Sequence, residues 1–156
     1  MEFTQCIDTA KGPLLITAND EGVKAVAFLD MAPESVRPNA VTREASSQLT
    51  AYFSKKLQEF DLPLTPKGTE FQQQVWHALL QVPYGETASY LDIAKAVGNP
   101  KGVRAVGMAN GRNPIAIIVP CHRIIGSNKT LTGYAGGLER KQYLLNLEGA
   151  QGVLWQ

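Results

Sequence analysis

Three side chains that could do chemistry stand together in the stretch IVPCHRIIG, which runs from Ile118 to Gly126. A cysteine is a strong nucleophile only as the thiolate, and at neutral pH it needs a base, a positive charge or a donor-rich turn nearby. Cys121 is followed directly by His122 and Arg123. Adjacent residues of a regular strand point to opposite faces, so Cys121 and His122 can cooperate only where the chain turns. Pro120 favours such a departure from a regular strand.

The local pattern leaves further roles for this cysteine open. The commonest fate of a free cysteine is burial as a small apolar residue, here at the end of a strand. A zinc site is disfavoured because the thiols and imidazoles show neither CxxC nor HxxxH spacing: Cys6, His77, Cys121 and His122. We expect no metal and no cofactor. A carboxylate would orient the histidine, but spacing does not choose among Glu70, Glu86, Asp92, Glu139 and Glu148.

The charge distribution is more informative than the net charge of +1. The segment from Ile93 to Leu138 contains no acidic residue and six basic ones: Lys95, Lys101, Arg104, Arg112, Arg123 and Lys129. Such a segment indicates contact with a polyanion, although an ordinary solvated face explains it equally well.

Length and composition predict a globular protein. The 156 residues, of which 44% are hydrophobic, suffice for one larger domain or two small ones with a real core. The apolar run from Ile115 to Val119 is too short to cross a membrane, and the first residues have no signal-like pattern. We therefore expect a cytoplasmic protein with two free thiols and no membrane partner.

The first half of the chain is typical of a small α/β unit. TQCID, LLITA and VKAVAFLD are short apolar runs separated by turn residues, which predicts an antiparallel meander. AVTREASSQLTAYFSKK has the spacing of a helix that packs on it. PLTPKG resembles a linker, so we place the domains at residues 1–66 and 67–156.

The second half predicts a helical domain. In TEFQQQVWHALLQVP, Thr69 and Gln72 form a cap pair, and Pro83 ends the helix. In SYLDIAKAVG, Ser89 and Asp92 repeat the cap pair and Gly98 is the stop. The following KGVRAVGMANGR completes a helix-turn-helix.

Glycines in that last helix carry a cost. Each interior glycine costs about 1 kcal/mol relative to alanine, so Gly102, Gly107 and Gly111 suggest that something approaches the backbone closely. A nucleic-acid groove is one candidate and a neighbouring helix is the other; the acid-free charge pattern favours the groove. A glycine-rich hairpin, GSNKTLTGYAGG, and an amphipathic helix, LERKQYLLNLEG, follow.

At this point the residues carry a resemblance. PCHRII, with GRNPIAIIV before it and GYAGGLERKQYLLNLEG after it, resembles the active-site region of the O6-alkylguanine-DNA alkyltransferases, or methylated-DNA-protein-cysteine methyltransferases. The likeness extends upstream through FQQQVWHALLQVPYGETASYLDIAKAVGNPKGVRAVG and covers residues 69–149. It implies a ribonuclease-H-like N-terminal domain and a winged helix-turn-helix C-terminal domain, within an α/β (α+β) fold.

The resemblance also implies roles for the site residues. Cys121 would accept the alkyl group of O6-alkylguanine irreversibly, so each molecule would act once; O4-alkylthymine is a further candidate substrate. His122 would take the thiol proton through a water, Glu148 would orient His122, Asn113 would stabilise the turn, and Tyr90 would assist the departing guanine.

DNA binding is implied in the same way. A monomer would bind double-stranded DNA through the minor groove, with cooperativity left open, and Arg104 would replace the flipped nucleotide. The helix around Ala105 and Gly107 would lie in the groove, with Arg112 and Arg123 as further contacts. Tyr134, Ala135 and Gly136 would wall the substrate pocket; many relatives have serine at the position of Ala135, so that hydroxyl contact is missing.

Two other functions compete with alkyl transfer. A lesion-binding protein could use the same helix-turn-helix without chemistry, but the presence of Cys121 argues against it. A thiol hydrolase would turn over repeatedly, whereas an alkyl acceptor stops after one equivalent.

Overall fold

A computed structural model describes residues 1–153 of the chain, so the last three residues of the predicted C-terminal domain lie outside the described residues. The chain divides into two compact units, Met1–Lys67 and Gly68–Gln156. None of the described helices is long and apolar enough to cross a membrane.

The N-terminal unit is built on the predicted antiparallel meander. Its strands are β1 (Phe3–Thr9), β2 (Gly12–Ala18) and β3 (Val23–Phe28), paired in that order. Alternate residues of β2 are completely buried, as expected for a strand with one face on a core: Leu14, Ile16 and Ala18. The structure confirms the predicted sheet.

One helix covers this sheet. Helix α1 (Ala40–Phe53) begins at a capping box in which Asn39 and Thr42 bond each other's backbone amides, and it packs on the strands through Ala45, Leu49 and Tyr52. The later segment EFDLPLT forms an isolated parallel bridge between Leu64 and Val23.

The C-terminal unit is mainly helical. It contains α2 (Glu70–Leu79), α3 (Tyr90–Ala96), α4 (Val103–Gly111) and α5 (Leu138–Leu147), with a short parallel pair of strands, β4 (Ala88–Ser89) and β5 (Ile124–Ile125). This architecture confirms the mixed α/β fold class.

Local capping sets the starts of α2 and α3. Thr69 and Gln72 form the predicted capping box at α2, and Ser89 and Asp92 form one at α3. Gly98, at φ 77°, follows the end of α3 in the left-handed region that glycine tolerates best. These features confirm the predicted starts of both helices and the predicted stop at Gly98, whereas α2 ends at Leu79, four residues before Pro83.

One buried hydrogen bond fixes helix α4 against the unit's core, and a glycine permits its start. The indole Nε1 of Trp76, on α2, donates to the carbonyl of Ala109 at 2.8 Å, and the bond is buried. At the start of α4, a Cβ on Gly102 would come within 2.4 Å of the Asn99 side chain, so glycine permits the tight turn from α3. The predicted helix-turn-helix is therefore held in a defined geometry.

Two local predictions from the sequence are wrong. Residues 115–119 form no strand before Cys121 but a compact turn, in which the amide of Val119 donates to the carbonyl of Ile115. The glycine-rich stretch after β5 forms a tight turn, in which the amide of Gly126 donates to Thr130, without the two strands of a hairpin.

Candidate active site

The turn that presents Cys121 is built around the side chain of Asn113. Its Oδ1 accepts from the amide of Ile115 at 3.0 Å, and its Nδ2 donates to the carbonyls of Ile115 at 3.3 Å and Val119 at 2.8 Å. Asparagine side chains commonly substitute for backbone partners in this way. One amide group therefore ties both ends of residues 115–119 together.

The tie forces an unusual backbone conformation on Ile117. Its φ is 72°, in a region that β-branched residues rarely adopt, yet its side chain is 1% exposed. After Pro120 the chain makes one turn of 3-10 helix, Cys121–Arg123, before entering β5. The chain therefore turns at Cys121 and His122, as cooperation between these two residues requires.

The thiol itself is withheld from solvent. Cys121 is 5% exposed, and burial raises the pKa of its thiol above the ordinary value. Hydrogen bonding by Asn113 and the charge of Lys141 oppose that rise in pKa. Because the thiol form is favoured in the free protein, reaction of this cysteine requires a base to remove the proton.

A buried pair supplies such a base. His122 Nε2 lies 2.7 Å from Glu148 Oε2, and both side chains are fully buried. Burial lowers the pKa of His122 despite the nearby carboxylate, so the imidazole is neutral at pH 7. Donation from Nε2 to Glu148 then makes Nδ1 the basic nitrogen, and Nδ1 is buried without a hydrogen-bond partner among the described residues.

The predicted DNA contact of Arg123 is wrong. Its side chain is 7% exposed, with Nε 2.8 Å and Nη2 3.1 Å from the two oxygens of Glu148, and Nη1 donates to the carbonyl of Val82. A guanidinium held in this way cannot reach a phosphate. Arg123 instead stabilises the site from within: although burial opposes ionisation, hydrogen bonds from His122 and Arg123, together with the positive charge of Arg123, lower the pKa of Glu148 to about 2.

The structure also shows where the predicted pocket residues lie. A cavity of about 320 Å³ is lined by Tyr90, Tyr134 and Ala135 together with residues of α4 and Gly133. Gly136 is not one of the lining residues, but it lies so close to the ring of Tyr134 that a Cβ there would come within 2.9 Å of Cε2. The structure therefore brings Tyr90, Tyr134 and Ala135 together, with Gly136 as a neighbour that permits the approach.

Two hydroxyl groups belong to this cavity. Tyr90 Oη lies 2.8 Å from Thr132 Oγ1. Burial raises the pKa of Tyr134 well above its ordinary value, with the nearby Cys121 adding to the rise, so this phenol stays protonated. Tyr134 Oη is buried and has no hydrogen-bond partner within residues 1–153.

Sequence reasoning missed Lys141, Thr132 and Asn110. The ammonium group of Lys141 is completely buried and donates to the carbonyls of Ile124, Thr132 and Gly133, which fastens the cavity loop to α5. Burial lowers the pKa of Lys141 to about 8. The sequence contains a signal for Lys141, because a lysine three residues before Leu144 lies on the apolar face of α5.

The remaining predicted DNA contacts lie on α4. Arg104 and Ala105 are exposed in its first turn, and Arg112 is exposed just after its end. Gly107 is half-buried beside Tyr90. The structure thus places these four residues on or beside one helix, next to the cavity, and separates them from Arg123.

The other thiol and imidazole are not among the residues of this site. His77 is exposed on α2, and Cys6 lies on β1 in the N-terminal unit. Across residues 1–153, no group of three or more His, Cys, Asp or Glu side chains has the arrangement of a metal site.

Comparison with known proteins covers nearly the whole chain. Residues 70–150 match the 6-O-methylguanine DNA methyltransferase DNA-binding domain, and residues 3–66 match the ribonuclease-like domain of the same family. The methylated-DNA–protein-cysteine methyltransferase of Methanosarcina acetivorans is 56% identical over 145 residues, which are 89% of this chain and 93% of that protein.

Solved structures agree. The O6-methylguanine methyltransferase of Mycobacterium tuberculosis superposes with a TM-score of 0.87 at 46% identity, over 97% of this chain and 95% of that one. A second structure of the M. tuberculosis protein, in complex with DNA, superposes with a TM-score of 0.86 at 47% identity, over 94% and 92% of the two chains.

Proposed function

Because the chain belongs to the 6-O-methylguanine DNA methyltransferase family, we propose that it repairs DNA by transferring the alkyl group of O6-alkylguanine to Cys121. The observation that carries this proposal is the environment of the thiol. Cys121 stands on a one-turn helix, and the next residue is a neutral histidine with one nitrogen held by a buried carboxylate and the other without a partner among residues 1–153.

The chemistry begins with the thiol proton. His122 Nδ1 accepts this proton, through a water molecule, and Glu148 stabilises the imidazolium that forms. The thiolate then attacks the alkyl carbon in line with the bond to O6. A carbon–sulfur bond forms as the carbon–oxygen bond breaks, and the bonding electrons leave with the guanine.

The departing guanine gains the negative charge that the thiolate loses. The hydroxyl of Tyr90, beside Thr132 in the cavity wall, donates towards the base and lowers the barrier to departure. The guanine anion takes a proton at N1 from water, and the imidazolium of His122 returns the thiol proton to water, so the protons balance. The thioether product is a very poor leaving group, so the protein acts once and is not regenerated.

DNA delivery completes the proposal. The related M. tuberculosis structure was solved with DNA, and we assign double-stranded DNA as the partner of this chain. The protein binds as a monomer, and helix α4 enters the minor groove because its exposed face is thin at Ala105. Arg104 fills the space of the flipped nucleotide, Arg112 contacts phosphate, and the protein acts in the cytoplasm.

Mass spectrometry tests the reaction directly. After incubation with an oligonucleotide duplex containing O6-methylguanine, we expect one added methyl group, located on Cys121 by peptide mapping. The Cys121→Ser variant should remain unmodified while still binding the duplex. An unmodified Cys121 beside an untouched lesion would support lesion binding alone, and repair beyond one equivalent would support a hydrolase.

A further inference from the structure

Helix α4 contributes a polar side chain to the cavity that has no partner among the described residues. Asn110 stands one helical turn after Gly107, and both residues line the cavity with Tyr90 and Tyr134. Asn110 is 5% exposed, and its side-chain Oδ1 is buried without a hydrogen-bond donor from residues 1–153.

An unpaired buried acceptor is unusual in a folded protein. The large majority of buried side-chain polar atoms are hydrogen-bonded, because an unpaired one loses its bonds to water and gains nothing in return. A donor supplied by the ligand of the same cavity would satisfy Asn110. This argument rests on the proposed function, which makes an alkylated base that ligand.

The chemistry of alkylated bases limits which donor can arrive. Alkylation at O6 of guanine removes the hydrogen from ring nitrogen N1, so the exocyclic 2-amino group becomes the only N–H donor of the base. Alkylation at O4 of thymine likewise removes the hydrogen from N3, and that base has no N–H donor left. An acceptor in the cavity therefore distinguishes the two lesions.

We propose that Asn110 is a specificity-determining residue whose side-chain carbonyl accepts a hydrogen bond from the 2-amino group of the flipped O6-alkylguanine. The contact favours O6-alkylguanine over O4-alkylthymine, which would leave Oδ1 unpaired. Tyr134 Oη, the other buried atom of this cavity without a partner in residues 1–153, is a phenol that donates to a ring nitrogen.

A substrate series tests this assignment. Single-turnover methyl transfer is measured at sub-saturating protein with two duplexes, one containing O6-methylguanine and the other O6-methylhypoxanthine, which lacks only the 2-amino group. We expect the wild-type protein to react about tenfold faster with O6-methylguanine, the value of one hydrogen bond of ordinary strength. In Asn110→Leu and Asn110→Ala, the preference should fall to about onefold.

The design separates the possible outcomes. The wild type and each Asn110 variant are assayed with the same two duplexes. The difference between the duplexes in the free energy of flipping the base therefore cancels when the preference of a variant is compared with that of the wild type. Tyr134→Phe is the matched control, since it removes a polar atom of the same cavity, and it should keep the tenfold preference. O4-methylthymine should gain relative to O6-methylguanine in Asn110→Leu.

Three results would overturn the assignment: an undiminished preference in Asn110→Leu, an undiminished preference in Asn110→Ala, or a preference lost in Tyr134→Phe instead. Two replacements of different size are used, so a single poorly folded variant does not protect the proposal. Absence of methyl transfer from every duplex would instead reject the proposed function.

Discussion

Replacing Glu148 by glutamine isolates the charge at the centre of the site. Glutamine keeps the size of the side chain but removes the carboxylate that contacts His122 and Arg123. The guanidinium of Arg123 then stays buried without a counter-charge. Removing one partner of a buried ion pair is strongly destabilising for this reason.

The size of the effect follows from the pKa of Glu148. This pKa is about 2, against an ordinary value of 4.5. The difference corresponds to about 3 kcal/mol in favour of the ionised form in the folded protein. We therefore expect Glu148→Gln to lower the free energy of unfolding by about 3 kcal/mol at pH 7.

The same reasoning sets the pH dependence. Because the folded pKa of Glu148 is lowered, its stabilisation is fully present above the unfolded value of 4.5 and is lost as pH falls towards 2. The lowered pKa of His122 also reduces the stability of the folded protein as pH falls below 6.5, the ordinary value of this pKa. The reason is that the unfolded chain binds the proton more readily than the folded chain. The gap between wild type and Glu148→Gln should therefore narrow between pH 4.5 and 2.

Urea denaturation followed by far-ultraviolet circular dichroism measures this gap at constant ionic strength from pH 7 to pH 2.5. The double variant Arg123→Met with Glu148→Gln is the matched control, because it removes both charges, and it should be more stable at pH 7 than Glu148→Gln alone. A gap that is the same at every pH would refute the reasoning, because it would assign the loss to packing and not to charge.

Two further predictions concern helix α4. Gly107→Ala should raise the free energy of unfolding by up to about 1 kcal/mol, since the added Cβ meets Tyr90 at an ordinary 3.8 Å. It should nevertheless slow repair of duplex DNA in single-turnover assays, because Gly107 and Tyr90 line the same cavity, and an unchanged rate would contradict binding of the base there. Arg104→Ala should slow repair of duplex DNA but affect reaction with free O6-benzylguanine much less. Equal losses on both substrates would count against insertion of Arg104 into the base stack.

The parts of the fold that depend on neighbours in sequence could be predicted. Thr69 with Gln72 and Ser89 with Asp92 are capping boxes complete within four residues, so the pattern contains all the atoms involved. The alternation in β2 likewise reports its one buried face. Residues of the predicted site could be named from the family resemblance, whereas spacing alone left five carboxylates open.

The errors share a physical cause, which is that hydrogen-bond partners are chosen by the folded structure and not by residue type alone. The sequence predicts Arg123 to be a surface charge because its carboxylate lies 25 residues further along the chain. It predicts a strand at residues 115–119 because nothing in that apolar run shows that Asn113 bonds its backbone. Asn110 gives no signal, since an unpaired atom is defined only by a completed environment.

The conformation of Ile117 fixes which residues occupy each position of the turn before Cys121. A β-branched residue in the left-handed region costs about 1–3 kcal/mol, whereas complete burial of an isoleucine side chain contributes about 1.5–3 kcal/mol. Glycine would relax the backbone but forfeit the side chain, which is 1% exposed. A slip by one residue would place a different side chain at the left-handed position and break the bonds of Asn113. Burial of the Ile117 side chain offsets the cost of its backbone conformation only when Ile117 itself occupies this position. The alignment of the chain that leads to Cys121 is therefore fixed.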